Sequence, residues 1–254
     1  MLVAINGFLG QMGQKVYYEM QKTKDFEFAG GVVKSAGQSI EEKLNARSLS
    51  NDKKDKIYDN LFQIKQCDGV IDFSHKNALN NVLNFCLDRH IPLVLATTGF
   101  TDNDKQKITF ASKYIPIFMA SNLSFAMQVL SDIVCFATTK LVGYDIEIVE
   151  THHKKKKDAP SGTAVMLAKK IVDTNKCLST HKSLNDTNKL SIHSLRGGGI
   201  VGEHEVLFLG KYDSIKITHT AFSREIFARG ALQAMKFLQT KTNGLYSMQD
   251  LSSE

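Results

Sequence analysis

The chain has 254 residues, of which 43% are hydrophobic and 23% charged, with a net charge of +6. That length holds one large domain or two modest ones, and the composition is ordinary for a soluble globular enzyme. No apolar run approaches the roughly 20 residues that cross a bilayer, and the positive balance suits an anionic ligand, whether dinucleotide, dicarboxylate or nucleic acid.

The opening Met1-Leu-Val-Ala-Ile-Asn-Gly7 reads as the start of a strand rather than a signal peptide, so the expected location is the cytoplasm. Leu2–Asn6 is a short apolar run ended by glycine. Gln11–Lys22 carries Met12, Val16 and Met20 at four-residue spacing, which predicts a helix. Strands follow at Phe26–Val33 and Gly69–Phe73, a helix at Asn77–Arg89, a strand at Pro92–Thr97, a helix at Asp104–Ser112 and a strand at Ile115–Ala120. Strands alternating with helices predict a parallel sheet covered on both faces. A helix over Ser124–Leu141 then leads into the strand Asp145–Glu150, and a second helix covers Gly162–Asp173. Leu190–Leu195, Glu203–Leu209 and Ser214–His219 are strands in succession, which favour antiparallel pairing and hence a second, α+β domain. A last helix is expected over Arg224–Gln239. Lys34–Asp59 and Asn175–Asn188 lack periodicity, and the latter reads as a loop. The domain expectation is therefore residues 1–122 with about 223–254, and about 123–222. Cys67, Cys86, Cys135 and Cys177 have no metal or redox spacing; the first three read as small buried hydrophobes, Cys177 as surface, and no disulfide is expected.

Gly7-Phe8-Leu9-Gly10-Gln11-Met12-Gly13 lies between the first strand and the first helix. A dinucleotide needs glycine there for a tight turn, for close backbone approach to the pyrophosphate, and for helix–strand packing, with the phosphate on the helix N-terminus. The spacing is GxxGxxG rather than GxGxxG, with Leu9 at the usual middle glycine, and a ligand-free glycine turn is the alternative. The second strand ends Val33-Lys34-Ser35 without a carboxylate for ribose hydroxyls; Lys34 could pair with a 2′-phosphate, which leans toward NADPH over NADH, although an ordinary exposed lysine is the other reading. Ala96-Thr97-Thr98-Gly99-Phe100 and Ala120-Ser121-Asn122-Leu123-Ser124 fall at carboxyl ends of strands, where such sheets bind ligands; a plain turn and an N-cap at Ser124 are the alternatives.

The densest chemistry follows the strand Asp145–Glu150. His152 offers a proton donor near neutral pH, the lysines 154–157 offer charge for a carboxylate, and amides of Ser161, Gly162 and Thr163 could receive a second carboxylate at a helix N-terminus. Asp158 and Pro160 would shape the loop. The histidine pair as metal ligands is the weaker reading, because neighbours on an extended chain point opposite ways and no third ligand is evident; no metal is expected. The lysine run could equally be a solvated face or a nucleic-acid patch.

Glu147-Ile-Val-Glu-Thr-His-His-Lys-Lys-Lys-Lys-Asp-Ala-Pro-Ser-Gly-Thr-Ala164 resembles the signature E-x-x-E-x-H-H-x-x-K-x-D-x-P-S-G-T-A of the bacterial dihydrodipicolinate reductases, now called 4-hydroxy-tetrahydrodipicolinate reductases, at every fixed position. Gly7–Gly13, Thr97–Phe100, Ala120–Ser124, Arg196–His204 and Ser223–Ala231 fall in the family's order. The resemblance implies a Rossmann-type doubly wound parallel sheet that binds the dinucleotide, to which the final helix returns, plus an α+β substrate-binding and tetramerisation domain with a mixed or antiparallel sheet. It implies NAD(P)H-dependent reduction of a cyclic dicarboxylate in lysine and diaminopimelate biosynthesis by a cytoplasmic homotetramer, with no nucleic-acid or membrane partner. By match, His152 is the proton donor and Lys156 its catalytic partner. His153, Lys156, Ser161, Gly162 and Thr163 contact substrate, while Gly7 through Met12, Lys34, Ala96 through Thr98 and Ala120 through Leu123 contact the cofactor. Departures are Val33 where many members are acidic, Ala96 for a frequent glycine and Leu123 for a frequent phenylalanine; none removes a catalytic group. A related-fold aspartate dehydrogenase would share the glycine turn but has no need of a carboxylate clamp. A basic nucleic-acid module would spread its charge with interleaved aromatics.

Overall fold

The computed structural model describes residues 1–34, 56–178 and 190–253. The chain divides into two compact units, Met1–Leu123 with Glu225–Glu254, and Ser124–Arg224.

In unit 1 the strands are β1 (Leu2–Asn6), β2 (Glu27–Val32), β3 (Ile57–Tyr58), β4 (Gly69–Asp72), β5 (Leu93–Leu95), β6 (Pro116–Met119) and, from the C-terminal stretch, β11 (Gly244–Tyr246). They form one sheet in the order β11-β6-β5-β4-β1-β2-β3, parallel throughout. Its helices are α1 (Gln11–Met20), α2 (Leu79–Arg89), α3 (Asp102–Ala111), α6 (Glu225–Leu238) and α7 (Met248–Ser252). Parallel strands need cover on both faces, and the period-two alternation of β1 shows it. Val3 and Ile5 join Val16 and Met20 of α1 and Ala231 and Met235 of α6 in one core cluster. Ala4, between them in sequence, joins Val82 and Phe85 of α2 and Ile108 of α3 in the other. Each fully buried aliphatic side chain of this kind contributes roughly 1.5–3 kcal/mol. The alternation predicted for this part is present, and so is the doubly wound sheet. β3, β11 and α7 are additional: they have two, three and five residues, too short to carry a period.

Unit 2 comprises α4 (Phe125–Lys140), β7 (Asp145–His152), α5 (Gly162–Leu178), β8 (Ser191–Arg196), β9 (Gly202–Leu209) and β10 (Ser214–Ala221). The sheet order is β10-β9-β7-β8. β9 pairs antiparallel with β7 and β10, whereas β8 pairs parallel with β7. The expectation that strands in succession pair antiparallel therefore fails for β8 and β9, which are consecutive but not neighbours. The physical reason is α5: a helix between β7 and β8 returns the chain to the end at which β7 began, and the second strand then runs parallel. β9 alternates buried and half-buried residues along its whole length. Val206, Phe208 and Ile148 face Met127, Leu130 and Val134 of α4 and Leu167 and Ile171 of α5. The opposite face carries the polar pairs Glu147–His193 at 2.7 Å and Thr220–Glu203 at 2.8 Å.

Cys67 and Cys86 are buried and Cys135 is half-buried. α5 extends through Asn175 to Leu178, where a loop was expected; the remainder of that stretch, the side chain of Cys177 and residues 35–55 of the other weak stretch lie outside the described residues.

Candidate active site

The turn after β1 is made by backbone. Gly7 has φ +81°, and a Cβ there would stand 2.6 Å from the Phe73 carbonyl oxygen. The amides of Gly7 and Phe8 both donate to the Val32 carbonyl at 3.0 Å, and that of Gly10 donates to Gly7 at 2.9 Å. Gly13, in α1, lies so close to this turn that a Cβ would be 2.4 Å from the Gly7 oxygen. No side chain caps α1 and its first turn holds no acid, so nothing on the helix itself offsets its positive end. β1 lies between β2 and β4, the point at which chain order departs in both directions, and open sheets of this kind bind ligands outside the carboxyl ends there.

The other predicted cofactor residues follow strand ends of the same sheet: Lys34 after β2, Ala96–Thr98 after β5 and Ala120–Leu123 after β6. They divide by exposure. Lys34, Gly10, Gln11, Thr98 and Ser121 are exposed, and Leu9, Met12, Ala96, Ala120 and Asn122 are half-buried. Phe8 and Leu123 are 1% and 2% exposed, and their side chains belong to the core, so only their backbone is available to a ligand. The Thr97 hydroxyl turns inward and donates to Asp72 Oδ2 at 2.7 Å. Asp72, to which the sequence reading assigns no role, also accepts from Asn6 Nδ2 at 2.8 Å and from the Ser74 hydroxyl at 2.5 Å. Burial raises its carboxyl above the ordinary value against the pull of those bonds. One buried acid thus ties the ends of β1 and β4 to the loop after β5.

In unit 2 the site is made by side chains. Residues two apart on a strand share a face, so Ile148, Glu150 and His152 of β7 all point to the helix-covered side. Glu150 is fully buried. Its carboxylate accepts from Arg196 Nη2 at 2.6 Å, from Arg196 Nη1 at 3.0 Å and from the Ser161 amide at 3.2 Å, and it pairs with Nδ1 of His152. Arg196 is opposite His152, and Ser194 opposite Glu150, because β8 lies parallel to β7 in that register. Burial works against the charged form of Glu150, but hydrogen bonds from Arg196, Ser194 and His152 outweigh it and hold the carboxyl at about 2. An ionised carboxylate only accepts, so Nδ1 of His152 carries the hydrogen and Nε2 is its remaining proton site. Burial lowers the proton affinity of His152, and Glu150 partly restores it. A Cβ at Gly202 would lie 3.0 Å from Nε2, so the missing side chain keeps room beside that nitrogen. His204 stands edge-on to His152 with ring centres 5.2 Å apart; burial, then the neighbouring His152, pushes it down to about 4, which leaves it neutral near pH 7. Its Nε2 meets the Ser161 hydroxyl at 3.0 Å, and that hydroxyl caps α5 by accepting from the Ala164 amide at 3.2 Å.

His153 takes a different environment from His152: its Nε2 meets Arg224 Nη2 at 3.1 Å. A guanidinium only donates, so Nε2 of His153 accepts. Among the described residues no cluster of three or more His, Cys, Asp or Glu could hold a metal. Lys156 is half-buried, with Nζ 2.8 and 2.9 Å from the two carboxylate oxygens of Asp158, while Lys154, Lys155 and Lys157 are exposed. At the start of α5 the expected trio of free amides is corrected: the Ser161 amide is bound to Glu150. Gly162 is exposed with open space where a side chain would be, and Thr163 is half-buried. Glu150, Arg196, Gly202 and His204 surround His152, and the sequence alone assigns none of them a role.

The structure thus brings His152, Lys156, Ser161 and Gly162 to one end of the unit 2 sheet, and the predicted cofactor residues to the carboxyl ends of the unit 1 sheet. Comparison with known proteins covers both units. The family model described as dihydrodipicolinate reductase, N-terminus, matches residues 1–123, and the one described as dihydrodipicolinate reductase, C-terminus, matches 126–251. A protein of Caldanaerobacter subterraneus subsp. tengcongensis named 4-hydroxy-tetrahydrodipicolinate reductase is 41% identical over 97% of this chain and 96% of its own. One of the same name from Clostridium novyi is 36% identical over 98% and 97%. The fold is shared with dipicolinate-bound dihydrodipicolinate reductase from Paenisporosarcina sp. TG-14, at a TM-score of 0.75 and 24% identity over 97% of each chain. A probable dehydrogenase from Thermotoga maritima, 11% identical, shares it at a TM-score of 0.63 over 100% of this chain and 93% of that one. On these matches, which run along both units, the chain belongs to the dihydrodipicolinate reductase family of oxidoreductases.

Proposed function

We propose that the protein reduces 4-hydroxy-tetrahydrodipicolinate to tetrahydrodipicolinate with NAD(P)H, in the route to diaminopimelate and lysine. The observation that carries this reading is the Glu150-centred cluster, which presents a histidine with one committed and one available nitrogen beside a cation and an exposed helix start. Unit 1 is the dinucleotide-binding part and unit 2 the substrate-binding part. The glycine turn fits the cofactor, because the Gly7 and Gly13 backbones meet where a Cβ would block them and α1 begins with neither cap nor acid. A reduced nicotinamide supplies the hydride when bound there.

The substrate loses its 4-hydroxyl as water, C4 accepts the hydride, and a proton completes the reduction. His152 delivers that proton from Nε2, since Nδ1 is committed to Glu150. A free imidazole lowered by burial is largely neutral near pH 7, and a bound dianion raises its proton affinity where the proton is needed. Lys156 and the amides of Gly162 and Thr163 hold the two carboxylates, with the Ser161 hydroxyl and His153 at their edges. Positioning and charge are the protein's contribution. Lys34, exposed just past β2, favours NADPH over NADH through a 2′-phosphate. Lys154, Lys155 and Lys157 add a field that draws in a dianion.

The uncovered face of the unit 2 sheet, with Val149, Leu195 and Leu207 among its polar pairs, is the surface through which a homotetramer assembles. No described helix is long and apolar enough to cross a membrane, and the cytoplasm is where this substrate and cofactor meet. The test is a coupled assay in which dihydrodipicolinate synthase supplies the substrate and the reduced-nicotinamide absorbance is followed with each cofactor in turn. Loss of absorbance that depends on the synthase, faster with NADPH, is expected; none with either cofactor would overturn the reading.

A further inference from the structure

We infer that the Asp158 side chain competes with a substrate carboxylate for the Lys156 ammonium, and so sets the affinity of the site for dicarboxylates. The inference rests on the proposed reaction for the identity of the ligand. Its basis is geometric. Both Asp158 oxygens lie within 2.9 Å of Lys156 Nζ, the arrangement an incoming carboxylate needs at the same cation. Lys156 is the more enclosed partner, at 21% side-chain exposure against 61% for Asp158. The backbone of residue 158 is fixed separately, since its carbonyl accepts from Arg196 Nη2 at 2.7 Å. The carboxylate can therefore swing off Lys156 into water by side-chain rotation alone, with Arg196 still holding the loop. Burial opposes the charge on Asp158, but the hydrogen bond to Lys156, with its own backbone amide and the charges of Lys156 and Arg196, outweighs it and keeps its carboxyl below the usual range, so it competes as an anion across the neutral region. The groups around it are Lys156 and Arg196, with the exposed Lys155 and Lys157 adjoining in sequence. The second substrate carboxylate, anchored at the start of α5, raises the effective concentration of the first at Lys156 and lets it displace Asp158.

An exposed pair of this kind holds with an energy that corresponds to about a two- to fivefold change in a binding constant. The experiment is calorimetric titration of the full chain with pyridine-2,6-dicarboxylate in a four-protein cycle: wild type, Asp158→Asn, Lys156→Gln and the double variant. Asp158→Asn is expected to tighten binding about two- to fivefold in the wild-type background and to leave it unchanged in the Lys156→Gln background. Weaker or unchanged binding in the single variant overturns the competition. Equal tightening in both backgrounds also overturns it, because the effect is then a general field and not a contest for one ammonium. A wild type that reduces substrate in the coupled assay while the cycle fails leaves the reaction standing without the competition. A wild type inactive in that assay removes the reaction, and the competition with it.

Discussion

The ends of β1 and β7 are organised by opposite means. After β1, the turn is built from backbone: a positive φ at Gly7, amides of Gly7, Phe8 and Gly10 bound to backbone carbonyls, and an α1 start with no side-chain cap, while the side chains of that turn face the core or the solvent. After β7, the arrangement is made by side chains, organised by one buried carboxylate with partners on two strands and a helix start. The difference suits the ligands. A pyrophosphate is recognised by charge and close approach, which backbone supplies without side-chain chemistry. A reacting ring needs a proton at a defined atom, which only a titratable side chain held in one tautomer supplies.

Substitutions can break or sharpen that contrast. His152→Ala should lower kcat by about a hundredfold or more, the usual scale of a lost general acid, with NADPH affinity by fluorescence titration unchanged. An unaltered kcat would remove His152 from the chemistry. Gly202→Ala inserts a methyl at 3.0 Å from Nε2. It should cost up to about a hundredfold in kcat, the scale of a displaced reacting group, while thermal unfolding shows a folded protein. A normal kcat would show that the space beside Nε2 is not used. Glu150→Gln removes the partner whose hydrogen bond and charge raise His152. The sign follows: the imidazole loses its proton at lower pH, so the falling limb of kcat against pH moves toward acid, costing about tenfold per unit at a fixed pH above it. A kcat that drops with the limb unmoved would mean that Glu150 is structural only. In the cofactor region, Lys34→Ala should raise the KM for NADPH about tenfold, as loss of one charge-assisted bond does, and leave that for NADH unchanged. Equal effects on both cofactors would detach Lys34 from the 2′-phosphate.

Most of the large elements were legible in the sequence because they are amphipathic over ten or more residues. β3, β11 and α7 of unit 1 were not, and the antiparallel pairing expected of successive strands failed for β8 and β9. The clue was present in α5, since a helix between two strands argues for a parallel pair whatever follows them. In the site, the motif located His152, Lys156 and the start of α5, but Glu150 went without a role although it stands two residues from His152 on a strand. Period-two spacing alone puts both on one face. Arg196, Gly202 and His204 were beyond that argument, because the register of β8 and β9 against β7 decides who stands beside the imidazole. Asp72 was hidden for the same reason: its partners Asn6 and Thr97 come from separate strand ends.

The bonds to Glu150 come from residues 11 and 46 positions along the chain. They close the β7-α5-β8 crossover at one point, so the group that sets the tautomer of His152 also latches a folding unit. Turnover and the cohesion of unit 2 are then two readings of the same latch. In a denaturant series, activity should be lost no later than the amide-exchange protection of β7 and β8, because the tautomer of His152 does not outlast the crossover that fixes it.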